Sequence, residues 1–350
     1  MRVVVVGATG NVGTSLLRSL VDDDAVESIL GLARRRPELE LPKVEWAQAD
    51  VRYSDLTSRF RGADAVVHLA WLIQPSRDQR LTEDVNVAGS ERVFRAVSQA
   101  GVPKLVYASS VGAYSPGPKD RAVDEGHPTD GISTSFYSRH KAAVERILDG
   151  FKHGNPDVQV VRLRPALIFK AEAASEIRRL FAGPLLPRQL IRRGLIPAIP
   201  AVPALRFQVV HSLDVGNAYR LAIKAPVSGA FNIAADPVLD TAKLEEILDA
   251  RPVGLPPRLL RIATDVSWRL RLQPTPPGWI DMALQVPILD SGRAREELAW
   301  KPDRSADQTL LELLDGLREG RGFPTPPLDP SSGGPMRIRE FLTGVGRRSW

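Results

Sequence analysis

Tyr137 and Lys141 stand four residues apart in a stretch, Thr134 to Phe151, whose apolar spacing predicts a helix, so both side chains leave one face. A free phenol titrates near pH ~10, and it trades protons near neutrality only when a close, poorly screened positive charge stabilises the phenolate. The Lys141 ammonium is such a charge. Upstream, Ser109 and Ser110 end an apolar run from Lys104 that reads as a strand, and the carboxyl ends of strands form the ligand crevice of open α/β sheets. A hydroxyl, a phenol and an ammonium in this order can handle the protons of a carbonyl or a secondary alcohol.

A second set lies at the start of the chain. Gly7-Ala8-Thr9-Gly10-Asn11-Val12-Gly13 follows a β-branched run at residues 2–6 and opens a stretch with Val12, Leu16, Leu17 and Leu20 on one helical stripe. Strand, glycine-rich turn and helix in that order suit a dinucleotide: the glycines allow a tight turn, close approach of backbone to a pyrophosphate and close packing of helix on strand. The helix N-terminus adds N–H groups and partial positive charge. After the second strand come Arg34-Arg35-Arg36 with no carboxylate, which points to the 2′-phosphate of NADP rather than to NAD. The plainer reading of those arginines is a basic turn facing water.

The elements that must position these groups read as alternating strands and helices. Segments 28–33, 44–49, 63–70, 104–109 and 158–163 are short apolar strands, and 82–100 and 134–151 are helices. This alternation predicts an α/β, doubly wound parallel-sheet Rossmann fold. Residues 1–165 would form the NAD(P)-binding domain, with 207–240 returning to it through strands at Phe207–Val210 and Ala230–Ile233. A smaller discontinuous substrate lobe would comprise 166–206 and 241–321, with 251–302 Pro-rich and irregular. Residues 322–350 read as a Pro/Gly-rich linker and basic tail.

Composition narrows the function. The 350 residues contain no cysteine, so thiol nucleophiles, disulfides and thiolate metal sites are excluded, and a cytoplasmic location is expected. His68, His127, His140, His153 and His211 lack metal-ligand spacing, so no metal is expected. The net charge of +6 is spread among 41 acidic residues, which argues against nucleic acid. The first apolar run is too short for a signal peptide or a membrane span, so no stable membrane insertion is expected. Partners reduce to a small-molecule substrate, with a monomer or homodimer.

The motifs, in this order, resemble the extended short-chain dehydrogenase/reductase superfamily, the NAD-dependent epimerase/dehydratase group. They are the glycine-rich turn, Asp50-Val51, His68-Leu69-Ala70, Asn86-Val87-Ala88-Gly89-Ser90, Tyr107-Ala108-Ser109-Ser110, Tyr137-Ser138-Arg139-His140-Lys141, Arg164-Pro165, and Leu289-Asp290 through Glu297 to Pro302. The resemblance implies catalysis by Ser110, Tyr137 and Lys141, with Ser110 favoured over Ser109 by its placement relative to Tyr114. It implies that Lys141 also bonds the nicotinamide ribose, that Asp50 and Val51 border the adenine, and that Leu69 and Ala70 run past ribose and phosphates. The expected cofactor residues are Gly7, Thr9, Gly10, Asn11, Val12, Arg34, Arg35, Asp50, Val51, Leu69, Ala70, Lys141 and Pro165.

The function so implied is an NAD(P)-dependent oxidoreductase acting on a carbonyl or secondary alcohol. The alternatives are a sugar epimerase with tightly bound cofactor and a non-catalytic NADP-binding redox sensor. Ser109 and Val111 stand where dehydratases carry an acidic pair, which disfavours dehydration. Phe207 stands where nucleotide-sugar epimerases carry an arginine four residues before the histidine matching His211, which weakens that substrate class. Trp71 reads equally as a pocket wall or as core, and His211 and Asp214 as structural. Arg178, Arg179, Arg188, Arg192 and Arg193 read as a solvated face before an anionic-substrate or membrane contact.

Overall fold

Along the first strand Val3 and Val5 enter one apolar cluster while Val4 and Val6 enter another. An unbroken apolar strand is the outcome of helices on both faces. The computed structural model describes residues 1–182, 196 and 198–333; Arg188, Arg192, Arg193 and the basic tail lie outside them.

In chain order the strands are β1 (Arg2–Val6), β2 (Ser28–Ala33), β3 (Val44–Gln48), β4 (Ala65–His68), β5 (Lys104–Ala108), β6 (Ala122–Val123), β7 (Gln159–Pro165), β8 (Leu167–Phe169), β9 (Ala198–Ala201), β10 (Val209–His211), β11 (Gly229–Ile233), β12 (Arg251–Gly254) and β13 (Ile288–Leu289). The helices are α1 (Asn11–Val21), α2 (Leu56–Phe60), α3 (Gln79–Glu83), α4 (Gly89–Gln99), α5 (Phe136–Gly154), α6 (Ala174–Ile177), α7 (Ser212–Lys224), α8 (Thr241–Leu248), α9 (Pro257–Arg269), α10 (Gly278–Gln285), α11 (Gly292–Glu297) and α12 (Ala306–Glu319).

Seven strands form one sheet in the order β3-β2-β1-β4-β5-β7-β11, every neighbour parallel. α1, α7 and α11 cover one face through Leu16, Leu20, Tyr219 and Ala294; α2, α4 and α5 cover the other through Phe60, Phe94, Val144 and Leu148. The order reverses between β1 and β4, which opens the crevice at the carboxyl edge where ligands bind in such sheets. α1 and α7 cross closely: the Ser15 and Ser212 hydroxyls bond at 2.8 Å, and a Cβ on Gly216 would lie 2.7 Å from the Ser15 carbonyl carbon.

The expected sheet strands recur within a few residues at their ends, and four local readings differ. β10 pairs with β8 in a separate two-stranded sheet, and Phe207 forms a single antiparallel bridge with Leu239, so this segment does not rejoin the main sheet. The expected 82–100 helix starts at Gln79 and contains a π-helical turn, Asp84–Ala88. The 251–302 region is not irregular, because Pro257 sits in the first turn of α9, where its missing N–H costs nothing and its fixed φ suits the helix. Residues 322–329 are packed rather than linker-like: Thr325 and Leu328 are buried. Among the described residues no helix is long and apolar enough to cross a membrane.

Candidate active site

The turn after β1 requires its glycines. Gly7 has φ +89°, and a Cβ there would lie 2.7 Å from the Ala70 nitrogen; a Cβ on Gly13 would lie 2.5 Å from the Gly7 carbonyl oxygen. Above Gly10 the space is open, since a Cβ there would meet nothing nearer than Gly7 O at 3.6 Å. Gly10 is the N-cap of α1 and supplies no side-chain cap, so the first-turn N–H groups face an open cradle suited to a pyrophosphate. The Asn11 side chain does not line that cradle. Its Nδ2 donates to Ile168 O at 3.2 Å, and Val12 packs into the core. Beneath the turn lies Lys170, 1% exposed, donating to Asn11 O at 3.0 Å and Thr14 Oγ1 at 2.8 Å; burial pushes its ammonium down to about 8.

A cleft of about 920 Å³, open to solvent, runs from this turn past Arg34, Arg35, Val51, Leu69 and Ala70, and its walls include Thr9, Trp71, Gln74, Glu176, Leu180 and Pro327. Asp50 and Pro165 are not among its lining residues. The Asp50 carboxylate turns to Arg52, receiving Nε at 3.1 Å and Nη2 at 2.9 Å, while Pro165 is buried at the end of β7 beside Ile233. Burial lowers the pKa of Arg34, with Asp50 opposing. Burial, opposed by Arg179 and Lys170, pushes the Glu176 carboxyl up to about 7.

The loop after β4 borders this cleft because the π-helical turn pins it. Asn86 Oδ1 accepts from Leu72 N at 2.7 Å and its Nδ2 donates to Leu72 O at 2.8 Å. Ser90 Oγ donates to Asn86 O at 2.6 Å and meets His68 Nε2 at 2.9 Å. His68 is held neutral, its pKa brought to about 3 by burial and then by Lys141. The motif Asn86 to Ser90 is thus an anchor for the cleft's rim.

Past β5 the two serines divide their work. Ser110 Oγ accepts from Gly112 N at 3.0 Å, capping the turn Val111–Ala113, and its hydroxyl lies near enough to the Tyr137 phenol to favour the phenolate. Burial pushes that phenol up to about 12, with Ser110 opposing. Ser109 instead donates to Glu145 Oε1 at 2.5 Å, and the same carboxylate receives Arg162 Nη1 at 2.6 Å and Arg164 Nε at 2.9 Å. Lys141, 3% exposed, donates to Ala108 O at 2.6 Å and lies 3.4 Å from the centre of the Trp71 ring and 5.8 Å from that of Tyr137. Burial drives its pKa well down, with Glu145 opposing. Trp71, which also lines the cleft, meets Tyr137 edge-on at 5.9 Å.

His211 accepts from Leu213 N at 3.2 Å to cap α7, and the Asp214 carboxylate accepts from Asp303 N and Arg304 N at 3.1 and 3.3 Å. Both fasten the return of the chain to α7. Thr325 Oγ1 donates to Thr9 O at 2.8 Å, and Arg179 holds the carbonyls of Asp329, at 2.8 Å, and Pro327. Residues 322–329 therefore form a strap across the glycine-rich turn. Its signal in the sequence is absent, since Pro and Gly there speak only for a bend.

A parallel sheet whose switch point carries a glycine-rich turn and a capless helix start defines a Rossmann-type nucleotide-binding protein. The chain belongs to the NAD-dependent epimerase/dehydratase family, whose model matches residues 3–234, within the extended short-chain dehydrogenases, a family of enzymes. It is 25% identical over 324 residues to the uncharacterized protein Rv2047c of Mycobacterium tuberculosis, covering 91% of this chain and 30% of that protein. The chain thus spans less than a third of that relative. It is 28% identical over 234 residues to short-chain dehydrogenase/reductase family 42E member 1 of Mus musculus, covering 63% of this chain and 56% of that one. Its fold matches the UDP-glucose 4-epimerase of Thermotoga maritima, solved with UDP-glucose, with a TM-score of 0.68, 20% identity, and 91% and 99% of the two chains covered.

Proposed function

We propose that this chain is an NAD(P)-dependent oxidoreductase that moves a hydride between its cofactor and a carbonyl or secondary alcohol. The observation that carries the reading is the gathering of buried Ser110, buried Lys141 and half-buried Tyr137 at the carboxyl edge of β5, next to the glycine-rich cleft. The open cradle above Gly10 and the cleft walls at Thr9, Leu69 and Ala70 fit a dinucleotide. When bound, the nicotinamide supplies or accepts the hydride. Ser110 orients the substrate oxygen, and Tyr137 gives that oxygen its proton in reduction or takes it in oxidation. Burial alone raises the phenol, so deprotonation near neutrality depends on the Lys141 charge acting on it. Arg34 and Arg35 at the end of β2 support NADP as the preferred cofactor, through paired guanidinium–phosphate hydrogen bonds.

Tyr137→Phe tests the chemistry. Turnover should fall by at least about 100-fold, the ordinary worth of a general acid or base, while cofactor affinity stays within a few-fold; unchanged turnover removes the mechanism. A second reading, an epimerase that keeps its cofactor, is favoured by the strap over the turn. Cofactor that co-purifies and is never consumed with substrate decides for it.

A further inference from the structure

We propose that α9 and the cleft at its C-terminal end form a docking surface for an anionic phospholipid bilayer, on which the chain lies without crossing it. The inference is independent of the reaction proposed above.

A surface helix of a globular protein ordinarily turns its apolar stripe to the core. α9 does otherwise. None of its residues is buried, and its half-buried ones are Leu260, Thr264, Asp265, Ser267 and Trp268. The other side carries Leu259, Ile262, Val266 and Leu270, at the helical spacing i, i+3, i+7, i+11, and these are 53%, 55%, 49% and 64% exposed. Leu272, 46% exposed, follows just past the helix end. The helix is held to the body by its inner side: Arg261 Nε donates to Asp281 of α10 at 2.8 Å, and the Arg77 guanidinium lies 4.3 Å from the centre of the Trp268 ring. A contiguous apolar row held outward in this way gains free energy only when an apolar medium or partner takes it from water.

Charge identifies that medium. Within Pro257–Leu272 the four arginines 258, 261, 269 and 271 stand against Asp265 alone. The open cleft at the end of α9 adds Arg77 and Arg80, and Asp78 is the one carboxylate among its described lining residues. That carboxylate is already engaged, accepting from Leu81 N at 3.0 Å at the start of α3. Arg271 joins the cleft from the left-handed backbone position after the helix, φ +60°, where glycine is the ordinary residue. Guanidinium groups beside an apolar row match a layer of phosphate headgroups over acyl chains. A second copy of the chain fits less well. Pairing two such faces would bring their arginines together, and a stable interface takes about 20–30 residues a side, where this row has five.

The test floats the full chain on vesicles of phosphatidylcholine, with and without about one third phosphatidylglycerol. Saturable binding should appear on the anionic vesicles, weaken as salt rises, and be slight on phosphatidylcholine alone. Ile262→Asn with Val266→Asn should lower it at least about tenfold. Arg80→Gln with Arg271→Gly should lower it roughly 25-fold, about fivefold for each charge near the surface. All four positions are exposed, and glycine suits the backbone at 271, so both variants should unfold in urea as the wild type does. Equal binding to the two vesicles, wild-type binding by both variants, or binding to neither vesicle overturns the proposal. Calorimetric binding of glycerol 3-phosphate without vesicle binding assigns the cleft to a soluble phosphate and overturns it too. So does a dimer, without vesicle binding, that Ile262→Asn with Val266→Asn dissociates in sedimentation, since the face then belongs to a second copy.

Discussion

The Lys141 ammonium lies 3.4 Å from the centre of the Trp71 ring, closer than it approaches any other aromatic face. A desolvated cation on an indole face gains about 2 kcal/mol, so the ring helps keep a buried lysine charged where burial works against it. Trp71→Leu should lower the lysine's pKa further. A step that needs the charged lysine would then lose its rate at lower pH, and the basic limb of the kcat profile should move down by about one to one and a half units. Trp71→Phe should move it less, and superimposable profiles for all three proteins would make Trp71 a wall alone.

Arg34→Ala with Arg35→Ala should weaken NADP roughly 10- to 100-fold, the scale of lost charge-assisted hydrogen bonds, and NAD by no more than a few-fold. Dissociation constants from cofactor fluorescence check this. Equal loss for both cofactors returns the pair to an ordinary basic turn.

Glu176 faces the same cleft with its carboxyl at about 7, raised by burial against the pull of Arg179 and Lys170. An anionic dinucleotide binds best to the neutral acid, so affinity should fall as pH rises through 7, and binding near neutrality should take up a proton. Calorimetry in buffers of different ionisation enthalpy counts that proton. Glu176→Gln should abolish the uptake and flatten the pH dependence.

Glu145→Ala would leave Arg162 and Arg164 buried without their shared carboxylate, a loss of about 3–5 kcal/mol of stability by urea unfolding. The carboxyl is held down to about 2, with its hydrogen bond to Arg164 the leading stabilising cause. A depressed carboxyl contributes fully above its unfolded value and ceases to contribute as pH falls towards its folded one. The wild-type advantage should therefore shrink between about pH 4.5 and 2, which acid titration of both proteins measures.

The groups legible in the sequence are those whose cue is local. Gly7 through Gly13 follow a valine run and open a helix, and the Tyr137–Lys141 spacing survives any tertiary arrangement that keeps α5 helical. The cue for α9 was present, Pro257 at a helix start, and was masked by the prolines around it. Trp71 under Lys141, Glu176 in the cleft and Ser109 bound to Glu145 depend on packing between segments far apart in the chain, which no periodicity encodes. The same holds for Asp50, whose carboxylate receives Arg52 two positions on, a contact the motif does not announce.

The Thr325 hydroxyl reaches back 316 positions to the Thr9 carbonyl, so the last described stretch of backbone lies on the doorstep of the dinucleotide. Any nucleotide that leaves by that side must wait for the peptide to lift. How long a cofactor stays would then depend on residues 322–329 as well as on hydride chemistry, and Thr325→Ala would change residence time without touching a reacting atom.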